Sequence, residues 1–317
     1  ITNEMLENTS GYAVAGLEVG DELTYKDLIY TAYLKSAADA VNALVISVAK
    51  DEDKFINLMN STAKDLKLKN TKFNNAIGKD SKNNYSTADD IAKLIIFAFK
   101  NEDFKKMWET KKYKLNADTV FTNSIYGKVE DLKDKDFKTD YITGSKAGYT
   151  DKAKNCLSST AKIEDVEYLV VTMDNEEEKD YSVKDAVALY KYYSSNYSYQ
   201  TIISLGQKLT TIKVKNSPKK IDILETKAVN LYLPNTLMIE DLQYEYTGKT
   251  EVSKNTPIGT KLGTLKVKNG DKVLYKEEVK LNKAVGFVFS YYYFIHIAGF
   301  ILLCILIAYV KKKTDKH

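Results

Sequence analysis

The stretch richest in chemical possibility runs from Tyr141 to Thr150 and reads Y-I-T-G-S-K-A-G-Y-T. An alternating approach leads into Gly144, Lys146 stands alone between small residues, and Gly148 admits close approach of another backbone. Those are the features of a strand against whose edge a ligand lies. A lysine at such a place is either a solvated edge charge, of the kind that keeps sheets from pairing edge to edge, or a cation aimed at an anionic substrate. The stretch alone leaves both open.

The rest of the composition narrows the chemistry. The chain has only two histidines, His296 inside an apolar run and His317 as the last residue. A Ser-His-Asp triad or a histidine-based metal site in the body is therefore excluded, and catalysis has to proceed without imidazole. No metal and no cofactor is expected. Cys156 and Cys304 fall in segments expected to sit in different media, so no disulfide framework is implied. All 47 basic residues are lysines, and the last seven residues carry a net +3 of the total +4. The body is close to neutral, which leaves no electrostatic footprint for nucleic acid.

The elements that must position Lys146 follow from periodicity. Between Thr24 and about Lys100 the pattern is helical. Thr24 with Asp27 forms a capping-box pattern ahead of Leu28, Ile29 and Ala32. A second helix follows Ser36 with Val41, Leu44, Val45 and Val48 on one face, and a third starts near Asp51 and buries Phe55, Ile56, Met59, Ala63 and Leu66. Ser86 and Asp89 cap a fourth, carrying Ile91, Leu94, Ile95, Ala98 and Phe99. Phe104 to Trp108 adds a short turn or helix. After Lys112 the period shifts toward two, predicting strands at Tyr141–Ala147, Asn155–Ala161 and Glu167–Met173, a turn at Gly148–Asp151 and a helix near Val183–Tyr193. Helices followed by neighbouring antiparallel strands predict an α+β domain over residues 1–200, an antiparallel sheet flanked by helices.

All three prolines lie after Leu205, as do alternating runs at Thr211–Val214, Val229–Leu233, Gly263–Val267 and Lys272–Val279. This shift predicts a small all-β domain over 205–282. From Ala284 to Val310 no side chain is charged, and Lys311-Lys312-Lys313 follows. The expectation is one transmembrane helix over 284–310, with Phe287, Phe289 and Tyr291 to Phe294 as an outer aromatic belt and 311–317 as a basic cytoplasmic tail. The body would then be an extracytoplasmic part of a single-pass cell-membrane protein. Export requires a signal, so an N-terminal portion upstream of Ile1 is expected.

Three stretches together resemble the low-molecular-mass penicillin-binding proteins, the serine-type D-alanyl-D-alanine carboxypeptidases. Leu34-Lys35-Ser36-Ala37-Ala38-Asp39-Ala40 is similar to that family's S-x-N element in its S-G-N-D-A context. Asn70-Thr71-Lys72-Phe73 with Tyr85-Ser86-Thr87-Ala88 and Asp90 is similar to its N-T-x-F and Y-S-T-A-x-D signposts. The opening stretch is similar to its K-T-G-x-T strand, and Thr122-Asn123 matches a further landmark. Order and spacing agree along residues 15–200. The resemblance implies a penicillin-binding, β-lactamase-like transpeptidase fold and an acyl-enzyme mechanism. In it the serine of an S-x-x-K motif attacks the terminal D-Ala-D-Ala bond of a peptidoglycan stem peptide, with β-lactams as acylating inhibitors. It further implies catalytic roles for Ser36, as proton relay to the leaving D-alanine, and for Lys146. Substrate would be bound along Ala38, Ala147, Gly148, Tyr149 and Thr150, with the Tyr149 backbone N–H as half of an oxyanion hole.

The nucleophilic serine and its lysine are expected upstream of Ile1. Two S-x-x-K strings occur within the chain, Ser61–Lys64 and Ser159–Lys162, and both are decoys by position: one on an amphipathic helix after the S-x-N element, the other on a strand. Two side chains also depart from the pattern. Ala38 replaces an asparagine and Ala147 a threonine, and each absent hydrogen bond to substrate costs about 1–3 kcal/mol. They motivate an alternative reading, a catalytically degraded relative that binds cell-wall peptide or a partner. A β-lactamase shares the serine chemistry but not the trailing β domain. Ser36 could also be an ordinary helix N-cap.

Overall fold

The computed structural model describes residues 1–176, 181–286 and 291–314, and the chain divides into two compact units, Ile1–Ser195 and Asn196–His317. The first unit begins with helices α1 (Tyr25–Lys35), α2 (Ala38–Ala49), α3 (Glu52–Asp65), α4 (Ala88–Ala98) and α5 (Glu102–Trp108). A hairpin of β1 (Lys112–Lys114) and β2 (Val120–Thr122) and helix α6 (Ile125–Asp131) follow. Strands β3 (Ile142–Thr150), β4 (Lys154–Ile163) and β5 (Val166–Asn175) then lead to helix α7 (Tyr181–Asn196).

Local chemistry starts these helices where it should. The Thr24 hydroxyl accepts from the Asp27 N–H at 3.1 Å while the Asp27 carboxylate accepts from the Thr24 N–H at 3.0 Å, so α1 opens on a complete capping box. Asp51 caps α3 by accepting from Lys54 N at 2.9 Å. The cap of α4 lies one residue beyond the expected Ser86: Thr87 accepts from Asp90 N, and Ser86 instead bonds Thr71. On α2 the buried residues are Ala38, Asp39, Ala40, Ala43 and Val45; of the expected face Val45 is buried and Leu44 packs beside the alanines, whereas Val48 is exposed.

Strands β3, β4 and β5 form one antiparallel sheet in that order, leaving β3 at an edge among the described strands. Alternation splits its faces between two cores. Ile142, Leu157 and Ala161 pack with Val183, Ala186, Val187 and Tyr190 of α7, and Leu169 packs with Tyr33, Ile95, Met107 and Trp108 of the helical layer. The hairpin between β3 and β4 turns later than expected, because β3 continues through Gly148 and Tyr149 to Thr150.

The second unit holds β6 (Tyr197–Ile203), β7 (Lys208–Val214), β8 (Lys220–Leu224), β9 (Val229–Pro234), β10 (Gln243–Gly248), β11 (Glu251–Val252), β12 (Lys261–Asn269) and β13 (Lys272–Lys280). They form sheets ordered β6-β9, β11-β7-β8 and β10-β12-β13 around a core of Ile203, Ile212, Ile223, Leu265, Val267 and Leu281. The unit starts earlier than residue 205, because β6 pairs with β9 and so belongs to it.

The expected transmembrane helix over 284–310 is not what forms. Val285, 3% exposed, belongs to the β core, and the final helix α8 (Tyr291–Thr314) starts where Tyr291 N donates to Asn216 O at 2.8 Å. The apolar run is thus divided between domain core and helix, and among the described residues no helix is long and apolar enough to cross a membrane. Phe287 and Phe289 of the expected aromatic belt, and Asp315, Lys316 and His317 of the expected tail, lie outside the described residues.

Candidate active site

The connection between α1 and α2 and the strand β3 bring Ser36 and Lys146 together. Ser36 closes α1 in the left-handed region, φ 55° and ψ 38°, immediately before Ala37 starts α2. A serine there costs about 1–2 kcal/mol over a glycine, and such strain collects at functional positions. Ser36 is therefore not an N-cap: its hydroxyl makes no capping bond and instead accepts a hydrogen bond from the Lys146 ammonium. Lys146 also donates to Ala147 O at 3.0 Å, and loss of hydration in this partly buried position brings its pKa down to about 8.

What holds the two elements in register is a buried polar network between α1 and β3. The Tyr33 hydroxyl, three residues before Ser36, donates to Trp108 O at 2.6 Å and accepts from Ser145 N at 3.4 Å. Asn123 donates from Nδ2 to Ser145 O at 3.1 Å, and its Oδ1 accepts from the Ser145 hydroxyl and from Ile125 N, both at 3.1 Å. Burial pushes the Tyr33 phenol well above its ordinary range, so it stays neutral and keeps donating. Beside it, Trp108 Nε1 donates to Thr160 Oγ1 at 2.8 Å. Trp108 lies so close over β3 that a Cβ on Gly144 would stand 2.3 Å from its backbone oxygen and from its indole. Close approach is thus the role of Gly144, whereas Gly148, where the sequence suggested it, faces open space.

The other side of Ser36 is anchored by Asp39. This carboxylate, 2% exposed, accepts from the backbone N–H groups of Ala15 and Gly16 at 3.0 Å and of Leu17 at 3.1 Å, and Ala38 N donates to Ala13 O at 2.8 Å. The segment before α1 is tied to the start of α2, and the tight Ser36–Ala37 connection is fixed between them. Ala38 itself is buried and presents no side chain outward.

Along β3 the backbone polar groups alternate sides. Ser145 N and O are both engaged on the side away from β4, and the register runs unbroken from Gly144 to Thr150, so Ala147 and Tyr149 turn their backbone groups the same way. Ala147 O already meets Lys146 there. The open edge thus offers the Tyr149 N–H within the strand that carries Lys146. Ala147, Gly148 and Tyr149 are exposed, and the Thr150 hydroxyl is engaged by Asp80 at 2.7 Å.

The two S-x-x-K strings lie elsewhere. Ser61 is on the exposed surface of α3, and the buried Ser159 hydroxyl bonds Tyr190 at 2.8 Å toward α7. Neither touches the Ser36–Lys146 pair. The sequence did not mark Tyr33, Trp108 or Asp80, each of which acts through a partner at least 52 residues away. Asp39 stood in the context of the S-x-N element, but its anchoring of the segment before α1 shows only in the fold. Among the described residues no cluster of metal-ligating side chains occurs.

The D-alanyl-D-alanine carboxypeptidase family (peptidase S11) matches over residues 2–177. The D-alanyl-D-alanine carboxypeptidase DacF of Bacillus subtilis is 27% identical over 282 residues, covering 86% of this chain and 70% of the relative. A D-alanyl-D-alanine carboxypeptidase of a Streptomyces species is 32% identical over 152 residues, 45% of this chain and 52% of its own length. In fold, the chain is similar to the crystal structure of the carboxypeptidase DacD from Francisella tularensis, with a TM-score of 0.68 at 18% identity over 90% of this chain and 80% of that one. A match spanning more than half of the 317 residues and containing both Ser36 and Lys146 shows that the chain belongs to the D-alanyl-D-alanine carboxypeptidases of peptidase family S11.

Proposed function

We propose that this chain supplies the proton-relay and substrate-edge half of a serine-type D-alanyl-D-alanine carboxypeptidase acting on peptidoglycan stem peptides. The carrying observation is the Lys146 ammonium held on the Ser36 hydroxyl beside an open strand edge. In this reading a stem peptide lies antiparallel along β3, pairing with the backbone groups of Ala147 and Tyr149. A serine from an S-x-x-K segment outside residues 1–317 attacks the carbonyl carbon of the penultimate D-alanine, its proton passing to the lysine of that segment. The Tyr149 N–H receives the developing oxyanion. As the C–N bond breaks, the Ser36 hydroxyl passes a proton to the departing D-alanine amine and is resupplied through Lys146. Water then releases the acyl group.

Lys146 has a second part in this account. A pKa near 8 keeps it mainly cationic at neutral pH, able to attract the substrate's terminal carboxylate, yet a readier proton donor than an ordinary lysine. The same edge would accept β-lactams, whose carboxylate and strained amide occupy equivalent positions. Because peptidoglycan lies outside the cytoplasmic membrane, the first unit is assigned to that side.

The test is to label the whole protein with a fluorescent penicillin and to map the acylated serine. The reading expects one acylated serine outside residues 1–317, with Ser61→Ala and Ser159→Ala leaving labelling unchanged. Label on Ser61 or Ser159, or no acylation at all, would reject it.

A further inference from the structure

The Tyr149 N–H can serve as an oxyanion donor only if the end of β3 is held still, and the strand itself does little to hold it. β3 is an edge strand, Gly148 meets nothing within 4 Å of a hypothetical Cβ, and the Tyr149 ring is 58% exposed. Exposed edge backbone with few packed side chains is where local opening begins.

The structure supplies a clamp at this point. Asp80 Oδ1 accepts from the Thr150 hydroxyl at 2.7 Å, and its Oδ2 accepts from Lys152 N at 3.2 Å, while the Thr150 hydroxyl accepts from Ala153 N at 3.0 Å. One carboxylate therefore spans the end of β3 and the turn that follows it, starting one residue past Tyr149.

The loop carrying Asp80, between α3 and α4, is itself stapled. At its base Lys72 and Tyr85 exchange backbone hydrogen bonds of 2.9 and 3.0 Å. The Asn60 side chain on α3 holds both backbone groups of Phe73, at 2.9 and 2.8 Å, and the Asp90 carboxylate on α4 accepts from Asn70 N and the Thr71 hydroxyl, both at 2.8 Å. Next to Asp80, the Asn75 side chain accepts from Lys79 N at 2.7 Å and donates to Lys79 O at 3.0 Å. Such a loop transmits the position of two helices to its tip.

We infer that Asp80 is a positioning residue: through Thr150 and Lys152 it fixes the end of β3, and with it the Tyr149 N–H. The inference rests on the proposed function in taking the β3 edge as the place where substrate reacts. A side chain that holds a donor in place affects the chemical step more than ground-state binding, and a misplacement of about 1 Å costs up to 100-fold in rate.

Two measurements test it. In the whole protein, Asp80→Ala should slow the first-order acylation step by a fluorescent penicillin about tenfold, with the half-saturating concentration little changed. Asp80→Asn, which keeps an acceptor for Thr150, should recover part of the rate. An unchanged first-order step in Asp80→Ala would overturn the inference. Independently of activity, hydrogen exchange of residues 1–317 should show faster exchange of peptides covering 147–156 in Asp80→Ala while those from α7 are unchanged. Unaltered exchange there would overturn the inference as well. An unlabelled wild type would reject the proposed function, and the exchange result would still decide the clamp.

Discussion

The Lys146 ammonium donates a hydrogen bond to the Ser36 hydroxyl across a sequence separation of 110 residues. Ser36 sits in a left-handed conformation that favours glycine, so backbone strain is accepted to place a hydroxyl there. Replacing it should separate the two contributions. Ser36→Gly should stabilise the chain by about 1 kcal/mol relative to Ser36→Ala, because only glycine adopts φ 55° freely. Chemical denaturation of the two variants measures this, and equal midpoints would deny the strain.

The lowered pKa of Lys146 gives a pH dependence with a definite sign. Its folded value is about 8 against an ordinary 10.5, so between those values the unfolded chain binds more protons than the folded one. The Lys146 contribution to stability therefore rises as pH increases from about 8 to 10.5. Lys146→Met should remove that rise. In the whole protein, attraction for a peptide carboxylate needs the cation and should weaken as pH increases through about 8. Denaturation curves and KM across this range check both.

Gly144→Ala should be among the most damaging single changes in the first unit. Its Cβ would meet the Trp108 backbone oxygen at 2.3 Å, and backbone cannot swing aside as a flexible side chain can. Overpacking here should cost about 3 kcal/mol. Loss of the contact between α5 and β3 should appear in Trp108 fluorescence, since this is the chain's only tryptophan.

Asp39→Ala would leave the backbone N–H groups of Ala15, Gly16 and Leu17 without their acceptor. The expected loss is about 3 kcal/mol. Proteolysis should then begin in the segment before α1, and unchanged resistance there would show that the carboxylate is not the anchor.

Ala147→Thr restores a hydroxyl on the exposed edge of β3. If that edge receives the terminal carboxylate, KM for a D-Ala-D-Ala peptide should fall about fivefold, corresponding to about 1 kcal/mol for one hydrogen bond. A change in kcat alone would place the carboxylate elsewhere.

Short-range chemistry made much of this molecule readable. The Thr24–Asp27 capping box, the Asp51 cap and the alternation of the three sheet strands all rest on neighbours within a few residues. Lys146 and Ser36 were legible only because their surroundings repeat a family pattern, since nothing local to Ser36 announces a left-handed turn. Tyr33 and Trp108 were opaque as site residues: an aromatic on a helix reads as core, and only tertiary structure turns the Tyr33 hydroxyl toward Ser145. The predicted membrane span failed for a related reason. Uncharged composition cannot show that Val285 is used by a β core while Tyr291 begins a separate helix.

The central claim is that Ser36 and Lys146 work as one proton relay, and the most direct measurement is D-alanine release from a peptide ending in D-Ala-D-Ala. The whole protein should release D-alanine, and Ser36→Ala, Lys146→Met and the double variant should each lower kcat by about 100-fold or more, with the double no worse than the singles. A Ser36→Ala enzyme turning over at the wild-type rate, or losses that multiply in the double variant, would contradict the account.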